Sequence, residues 1–497
     1  MKKINENKEQ KDKQNKQEKN NQNINNSTKA KSNVLIGLQY GDEGKARVLD
    51  KLAKQSHVIA RFNGGANAGH SLHVGDKKIV LHQIPSGIFY PNSILYIGCG
   101  CVVNPLKIKH EIKDINNNDI CIKNRLKISS KATLVQPHHT VLDSLHGKTI
   151  GTTKNGIGHA YSDQAIRSKG NQLKNLRFGD YCADPNKAKE IALTNLNEAI
   201  AENKLTDVNA KEMVEEFHKE MLNLIQYHCN DPLYLEKLAE QNKNIFFEGA
   251  QSVMLDVITG TVPFVTSSRT LSAAAYTGGD LSMRHHNKTI GVAKAIMSRV
   301  GNGPFVSEFG GERSEAYCAK DGGNAHKSKF EKANHNVDNI LKSKDQFEMG
   351  IGLRMLGGEY GATTKRPRRI GMLDLVMLRQ NCKLNSVDEL YINKFDCLEH
   401  FNKTSLPGIP LVVAYELDGK EIDFMPANVE ESKRAKPVIT HLPHITTDIS
   451  QIRDPKKLPK EVNKLISFIE EFTGSKMYGI GVGPERDQFI QLREHEN

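Results

Sequence analysis

Two glycine-rich segments near the start of the chain carry the residue types that handle phosphates. Residues 37–45 read GLQYGDEGK and residues 63–71 read NGGANAGHS, and their glycines allow a ligand to approach the backbone closely. The first segment adds the acid Asp42, and the second adds His70. A carboxylate beside a phosphate makes chemical sense only with a metal ion or a proton to transfer. The two segments together therefore indicate phosphoryl or proton-transfer chemistry.

The flanking sequence predicts the elements that would position this chemistry. The apolar run 33–38 is typical of a buried strand, and the apolar residues after Lys45 recur on one helical face. A strand, a glycine turn and a helix aim backbone N–H groups and the helix dipole at an anion. The turn is not a Walker A loop, because Gln39 and Ala46 occupy positions that this motif reserves for other residues. On spacing alone, phosphate binding and an ordinary strand-to-helix turn stay equally open; the carboxylates in the loop favour phosphate binding.

The length and composition favour an α/β protein with a disordered tail. A chain of 497 residues can bury a large core, and its glycine loops alternate with strand-like and helix-like segments. Residues 1–32 hold nine lysines, four acids and almost no apolar side chains, so we expect disorder there. This tail lacks arginine and resembles neither a signal peptide nor a transit sequence. The rest of the net charge of +11 suits anionic nucleotides and a dicarboxylate rather than nucleic acid.

The cysteines and the hydropathy pattern indicate a cytoplasmic protein. None of the eight cysteines forms a CxxC pair, so the sequence predicts neither a disulfide framework nor a cysteine metal cluster. No apolar stretch reaches the roughly 18 residues that a membrane span requires, and we expect no membrane partner.

Hydrophobic periodicity predicts the remaining elements. Short apolar runs indicate strands near residues 57–61, 78–82, 94–98, 133–135, 244–247, 289–297, 389–393, 410–415 and 477–480. Helical spacing covers residues 205–240, 371–380 and 459–472. The tetrapeptide 74–77 predicts a hairpin turn between two short strands.

The two glycine segments resemble motifs of the adenylosuccinate synthetase family, whose usual forms are GDEGKGK and GG-x-NAGHT. Further motifs follow in the family's order, so the resemblance spans about residues 33–490: IPSGI (84–88), GTTKNGIGHAYSD (151–163), FEGAQ (247–251), PFVTSS (263–268), SRVGNGPF (298–305), GGEYGATTKRPRR (357–369), NKFD (393–396) and GVGPERDQ (481–488). The resemblance implies one catalytic domain over residues 33–497. Its implied fold is α/β, with a large central, mostly parallel β-sheet flanked by helices, smaller antiparallel and helical subdomains, and a P-loop-like GTP site.

The resemblance also implies a reaction, the GTP-dependent ligation of L-aspartate to inosine monophosphate (IMP) through a 6-phosphoryl-IMP intermediate in AMP biosynthesis. Asp42 matches the family residue that takes the proton from N1 of the purine and ligates one Mg²⁺ per subunit. Gly69 matches the residue whose backbone carbonyl completes the metal shell. His70 matches the hydrogen-bond donor to the transferring phosphoryl group, and Lys45 and Gln251 complete the implied catalytic set.

The family's nucleotide contacts map onto loops of this chain. The implied IMP contacts are Asp42, Lys45, Asn67, Ala68, Gly69, His70, Thr153, Arg167, Gln251, Thr266 and Arg366. The implied GTP contacts are Gly41, Asp42, Glu43, Gly44, Lys45, Ala46, Arg47, Gly69, His70, Ser71, Arg368, Lys394, Phe395, Asp396, Gly481, Val482 and Gly483. Within the second set, the carboxylate of Asp396 suits guanine, because it can accept from N1–H and the exocyclic amine together. Arg167 matches an arginine that enters from a neighbouring subunit, which implies a homodimer with shared active sites.

The basic segment ATTKRPR matches the family loop that binds aspartate. Arginine binds carboxylates in bidentate fashion, so its cations and threonines suit a dicarboxylate. The implied contacts are Ala362, Thr363, Thr364, Lys365, Arg366, Pro367 and Arg368. Several positions depart from the usual family sequence: glycine is common where Lys365 and Ala46 stand, and serine or threonine is frequent where Gly481 and Val482 stand.

One long segment and three rival interpretations stay open on the sequence. Residues 309–356 exceed the usual family connection, and we expect a surface insertion that could also affect the adjoining aspartate loop. A related synthetase acting on dGMP generally has serine where Asp42 stands. A P-loop GTPase switch would need the absent Walker A motif. An inactive homologue is disfavoured because Asp42, Lys45, His70 and Arg366 are all present.

Overall fold

The computed structural model describes residues 31–67, 69–74, 77–146, 152–319, 328–361 and 366–494. The predicted tail, residues 1–32, lies almost wholly outside this part of the chain. In chain order the strands are β1 (Ser32–Gly37), β2 (Val58–Arg61), β3 (His70–Val74), β4 (Lys77–Leu81), β5 (Ile94–Ile97), β6 (Val102–Val103), β7 (Leu126–Ser129), β8 (Thr133–Leu134), β9 (Ser168–Lys169), β10 (Gln172–Leu173), β11 (His228–Cys229), β12 (Ile245–Ser252), β13 (His286–Lys294), β14 (Met297–Arg299), β15 (Arg369–Gly371), β16 (Leu373–Asp374), β17 (Glu389–Asn393), β18 (Ile409–Leu417), β19 (Lys420–Ile422), β20 (Lys436–Leu442), β21 (Met477–Gly481) and β22 (Phe489–Gln491).

Helices connect and cover these strands. In chain order they are α1 (Lys45–Leu52), α2 (Pro105–Asn116), α3 (Pro137–His146), α4 (Ile157–Ile166), α5 (Phe178–Ala183), α6 (Pro185–Glu202), α7 (Ala210–Leu224), α8 (Tyr234–Glu240), α9 (Ala274–Gly278), α10 (Gly311–Ala319), α11 (Ser328–Asn334), α12 (Val337–Leu341), α13 (Gln346–Gly357), α14 (Leu375–Leu384), α15 (Val429–Arg434) and α16 (Lys460–Thr473). Among the described residues, no helix is both long and apolar enough to cross a bilayer.

A large central sheet organises the molecule. In the described part of the chain it has ten strands in the order β11-β7-β5-β2-β12-β1-β13-β17-β21-β22. Every neighbouring pair is parallel except β21 and β22. Smaller sheets accompany it, including the antiparallel hairpin β3–β4 and the sheet formed by β16, β18, β19 and β20. The expected α/β fold with a mostly parallel central sheet is confirmed.

The sequence of the central strands explains their burial. Val34, Leu35 and Ile36 of β1 are all at most 1 % exposed, because helices cover both faces of the sheet. Such continuous apolar runs are typical of strands in parallel sheets. Parallel strands also end on the same side, so the loops after β1, β2, β12, β13, β17 and β21 share one edge.

Two expectations about individual segments need correction. The predicted helix 205–240 is divided, since α7 ends at Leu224 and a short strand, β11, precedes α8. Pro232 falls in this interruption, where a proline lacks the N–H that a continuous helix requires. The segment 309–356 is not only a surface element, because Leu341 and Leu353 are fully buried in the largest core cluster.

Glycines allow an unusually close backbone contact beside the sheet edge. A Cβ atom at Gly100 would lie 2.3 Å from the carbonyl oxygen of Phe62 and 2.7 Å from Cα of Gly278. The Gly100 N–H also donates to the Gly278 carbonyl at 2.8 Å. Since both neighbouring atoms belong to the backbone, they cannot move aside as a side chain could.

We therefore expect Gly100→Ala to destabilise the fold by about 1–3 kcal/mol, the usual cost of overpacking. Gly357→Ala is the matched control, because a Cβ there meets only a side-chain atom at 3.5 Å. The control should be neutral or slightly stabilising, as alanine is favoured over glycine in a helix. Denaturant titrations of the two variants test this; equal stability would contradict the close-contact account.

Candidate active site

Many of the predicted site residues lie on the loops at the carboxyl edge of the central sheet. Loop one (residues 38–44) follows β1, and loop two (residues 62–69) follows β2. Strand β12 lies between β1 and β2 and ends with Gln251 and Ser252. The loops after β17 and β21 carry residues 394–396 and 482–483. In open α/β sheets, ligands bind at this edge.

Loop one is held by a carboxylate turned into it. Glu43 is fully buried, and its Oε1 accepts hydrogen bonds from the N–H groups of Gln39 at 3.1 Å and Gly41 at 2.9 Å. Positive φ angles of 96° at Gly41 and 84° at Gly44 complete the turn, a conformation that glycine adopts without strain. Asp42 also has a positive φ, 58°, and its side chain is 41 % exposed. The loop therefore presents Asp42 outward while Glu43 fixes its shape.

Lys45 begins α1 next to this carboxylate. Its Nζ lies 2.9 Å from Oε2 of Glu43 and 3.4 Å from the hydroxyl of Ser252 on β12. Burial alone would raise the pKa of Glu43, but the Lys45 ammonium and neighbouring hydrogen bonds hold it below its ordinary value. Lys45 thus links loop one to β12. The methyl group of Ala46 is buried with Ile79 and Leu81 of β4.

His70 forms a buried pair with Glu248 of β12. Its Nδ1 lies 2.5 Å from Glu248 Oε1, and the Ser86 N–H donates to Oε2 of the same carboxylate at 2.8 Å. Burial alone would raise the pKa of Glu248, but His70 and the Ser86 hydrogen bonds hold it well below its usual range. An ionised Glu248 accepts from Nδ1–H, which leaves Nε2 of His70 for other contacts. Burial lowers the pKa of His70 below its ordinary value, against the opposing effect of Glu248.

A cleft of about 530 Å³ opens beside loop two, and four predicted IMP contacts line it: Asn67, Thr153, Gln251 and Thr266. These residues come from four separate parts of the chain. Asn67 donates to the hydroxyl of Thr266 at 3.1 Å, so two of them are already connected. Gln251 has a positive φ of 55°, and both polar atoms of its amide are buried without a partner in the described structure. Buried polar atoms are normally hydrogen-bonded, so this amide is suited to a ligand.

Glu359, which was not predicted as a site residue, forms ion pairs with three cations near loop one. Its carboxylate lies 2.8 Å from Arg368 Nη1, 3.2 Å from Lys294 Nζ and 3.2 Å from Lys394 Nζ. Burial alone would raise the pKa of Glu359, but the three cations hold it well below its ordinary value. Arg368 also reaches Asp42, with 2.6 Å between Nη2 and Oδ2.

The predicted guanine contacts lie against the end of β21. The Phe395 N–H donates to the Gly481 carbonyl at 2.8 Å, while Arg47 of α1 donates to the Gly483 carbonyl. Asp396 has one carboxylate oxygen, Oδ1, buried without a partner in the described structure. Burial raises the pKa of Asp396, although Lys394 and Arg47 oppose this. This unpaired oxygen could accept hydrogen bonds from the N1–H and the exocyclic amine of a guanine base.

Some predicted residues are not placed in this arrangement. Arg167 follows α4 with a positive φ of 66°, is exposed, and is not among the residues that line the cleft. Ala68 and residues 362–365 lie outside the described residues, and for Ser71 only the backbone of β3 is described. Pro367 is buried and Arg366 is half-buried at the end of the 362–368 segment.

Three residues that complete the site carried no predicted role, namely Glu248, Lys294 and Glu359. Glu248 and Lys294 are charged residues at the ends of apolar strand sequences, and all three are at most 3 % exposed. A charged residue within a buried strand is unusual unless it is paired, so this pattern was the available signal. The identity of each partner could not be read from the chain.

Known proteins resemble this chain over nearly its whole length. The family model described as "Adenylosuccinate synthetase" matches residues 34–490. The chain is 40 % identical over 457 residues to adenylosuccinate synthetase 2 of Cupriavidus pinatubonensis, which covers 92 % of this chain and 96 % of the relative. The fully ligated adenylosuccinate synthetase of Plasmodium falciparum is structurally similar, with a TM-score of 0.78, 30 % identity, and coverage of 93 % of this chain and 99 % of that one.

A more distant structure shares the fold alone. It is the cyanophage S-2L succinoaminodeoxyadenylate synthetase bound to dGMP and dATP, with a TM-score of 0.54, 16 % identity, and coverage of 94 % of this chain and 96 % of that one. The family model and the nearer relatives support GTP-dependent ligation of L-aspartate to IMP, a reaction of purine biosynthesis, as the function of this chain. On the family model and these relatives, the chain belongs to the adenylosuccinate synthetase family.

Proposed function

We propose that the protein performs its family's ligation with Asp42 as the base and His70 as the group that faces the transferring phosphoryl. The observation that carries the IMP-binding part of this proposal is the cleft in which Asn67, Thr153, Gln251 and Thr266 meet. Strand β12 joins this cleft to both loops, since Gln251 lines it while Glu248 and Ser252 contact His70 and Lys45.

The chemistry explains the need for a base in loop one. The 6-oxo group of IMP is an amide-like oxygen and leaves poorly, so it is first phosphorylated. Removal of the N1 proton by Asp42 places negative charge on O6, which attacks the γ-phosphorus of GTP and releases GDP. The amine of aspartate then attacks C6 and expels phosphate. Proton abstraction of this kind contributes about 10²–10⁴-fold, and fixed charges must supply the rest.

The buried pair of His70 and Glu248 suits a site that receives a growing negative charge. Nδ1–H is committed to Glu248, so a hydrogen bond from Nε2 to a phosphoryl oxygen requires the imidazolium form. Burial keeps the free histidine neutral, whereas an anion at Nε2 would stabilise the second proton. His70 thereby provides a positive charge when the phosphoryl group is present.

The oxygen donors of the two loops fit a magnesium ion. Mg²⁺ prefers carboxylate and carbonyl oxygens, which Asp42 and the backbone of Gly69 offer. Asp42 is exposed and sits on a rigid turn, so its carboxylate is available once Arg368 is drawn to a substrate. When bound, the ion would neutralise charge on the phosphate oxygens of GTP.

Aspartate would be recognised by the basic segment 362–368. Arg366 and Arg368 follow the part of this segment that lies outside the described residues, and each could bind a carboxylate in bidentate fashion. Lys365, where the family commonly has glycine, adds a further positive charge near this substrate.

The exposed position of Arg167 supports a homodimer. An arginine that contacts the phosphate of IMP in the neighbouring subunit must project away from its own cleft, and Arg167 does not line that cleft. We assign the enzyme to the cytoplasm, where IMP and GTP are available and its eight free cysteines would stay reduced.

Turnover should require IMP, GTP, Mg²⁺ and aspartate together. Asp42→Asn and His70→Asn should each lower kcat by at least about 10²-fold, because they remove the base and the phosphoryl contact. Purine absorbance and phosphate release measure this with purified protein. Preference for dGMP over IMP, or full turnover by Asp42→Asn, would contradict the mechanism.

Guanine selectivity should depend on Asp396. An amide in Asp396→Asn can donate to the 2-oxo group of xanthine, so the variant should lose most of its activity with GTP and gain activity with XTP. The expected change in relative kcat/KM is at least about 10²-fold, as for a site left with an unpaired buried group. Asp418→Asn is the control, since Asp418 is exposed and pairs with Arg434. Unchanged nucleotide preference in Asp396→Asn would refute the assignment.

A mixing experiment tests the shared site. Arg167→Leu and Asp42→Asn should each be inactive alone, because each lacks one essential group in every site. After exchange of subunits, half of the dimers would be mixed and each would hold one intact site, so about a quarter of wild-type activity should return. No recovery, with exchange verified by differently tagged subunits, would exclude a contribution of Arg167 across the interface.

A further inference from the structure

Residues 359–361 and 366–368 pair as two short antiparallel strands, which we call the stalk, at the two ends of the segment predicted to bind aspartate. The Arg368 N–H donates to the Glu359 carbonyl at 3.0 Å, and the Gly361 N–H donates to the Arg366 carbonyl at 2.8 Å. Tyr360 and Pro367 form an antiparallel bridge between these two bonds. Consecutive side chains in an extended strand project to opposite faces, so Glu359 and Tyr360 face different surroundings.

One face of the stalk is joined to the nucleotide site. Glu359 forms ion pairs with Lys294 of β13 and with Lys394 of the segment 394–396 that is predicted to bind guanine. Arg368 forms ion pairs with both Glu359 and Asp42. These contacts belong to the proposed active site and determine the position of the stalk relative to the residues that are proposed to bind GTP.

The other face is held by Glu331, on α11 within the 309–356 segment. The Tyr360 hydroxyl donates to Glu331 Oε2, and Arg354 donates to Glu331 Oε1 at 2.6 Å through Nη2 and at 3.1 Å through Nε. Arg354 Nη1 also donates to the Arg368 carbonyl at 3.1 Å. Glu331 therefore contacts one strand of the stalk directly and the other through Arg354.

The charged pair of this cluster is almost completely removed from water, while Tyr360 is half-buried. Glu331 is 0 % exposed and Arg354 is 1 % exposed. A buried ion pair often adds no more stability than apolar residues of the same volume, because both charges lose their hydration. What such a pair can add is a fixed geometry, since both guanidinium and carboxylate groups demand particular directions. The cluster contacts both strands of the stalk, so a fixed geometry of the cluster would also fix the positions of Arg366 and Arg368.

We propose that Glu331 is a positioning residue for aspartate, and that through Tyr360 and Arg354 it sets the affinity of the site for this substrate. The inference rests on the proposed role of residues 362–368. Glu331 itself touches no substrate group and would act only through the stalk.

The most selective variant is Tyr360→Phe, which removes one hydroxyl and leaves the Glu331–Arg354 pair intact. We expect its KM for aspartate to rise about tenfold, the effect of losing one hydrogen bond to a charged group. Its KM values for IMP and GTP, and its kcat, should stay within about twofold of the wild type. Glu331→Gln should raise the KM for aspartate in the same way, and Glu331→Ala should raise it further.

Tyr181→Phe is the matched control, because it removes a buried tyrosine hydroxyl that contacts His218 between α5 and α7. Its three KM values should equal those of the wild type. Thermal melting of every variant separates misfolding from altered binding, and Tyr360→Phe carries the test if Glu331→Ala does not fold.

Two results would overturn the inference: a wild-type KM for aspartate in both Tyr360→Phe and Glu331→Gln, or a parallel rise in all three KM values. These readings require an active wild-type enzyme, so they are distinct from a failure of the proposed function. A wild type that binds the substrates but does not ligate them would reject the proposed function and this inference with it.

Discussion

The carboxylate of Glu359 keeps three cations together that would otherwise repel one another. Lys294, Arg368 and Lys394 come from three separate parts of the chain, and each lies within 3.2 Å of this one group. Because Glu359 and Lys294 are buried, the attraction between them is weakly screened, and Arg368 and Lys394 are drawn to the same carboxylate. One negative charge thus makes it possible to gather a surplus of positive charge where phosphates and carboxylates must bind.

The site is also defined by polar atoms that the protein leaves without partners. The amide of Gln251, Oδ1 of Asp396 and Nε of Arg368 are buried and unpaired within the described structure. Each such atom costs stability, and folding would normally remove it. At these three residues, the unused hydrogen-bonding capacity lies where ligands are proposed to bind. Strain at Asp42, Gln251 and Lys394, which all have positive φ, follows the same pattern.

How much of the fold and of the site could be predicted depends on how far apart in the sequence the interacting residues lie. Loop one and its flanking strand and helix follow from local sequence, and the strand at 389–393 matches β17 at both ends. The meeting of Thr153 and Gln251 in one cleft was available only through the family resemblance, since nothing local marks either residue. The roles of Glu248 and Glu359 depend on partners distant in sequence, such as His70 and Lys294. Helix α7 ended earlier than predicted because periodicity does not register the break before Pro232.

The burial of Arg354 constrains which deletions within residues 309–356 the fold can tolerate. A deletion that removed α11 but kept α13 would remove Glu331 and leave the guanidinium of Arg354 enclosed without this counter-ion. A viable deletion would have to replace Arg354, and adjust Tyr360, at the same moment. Loss of α11 alone would therefore destabilise the fold, so this helix and Arg354 can be lost only together.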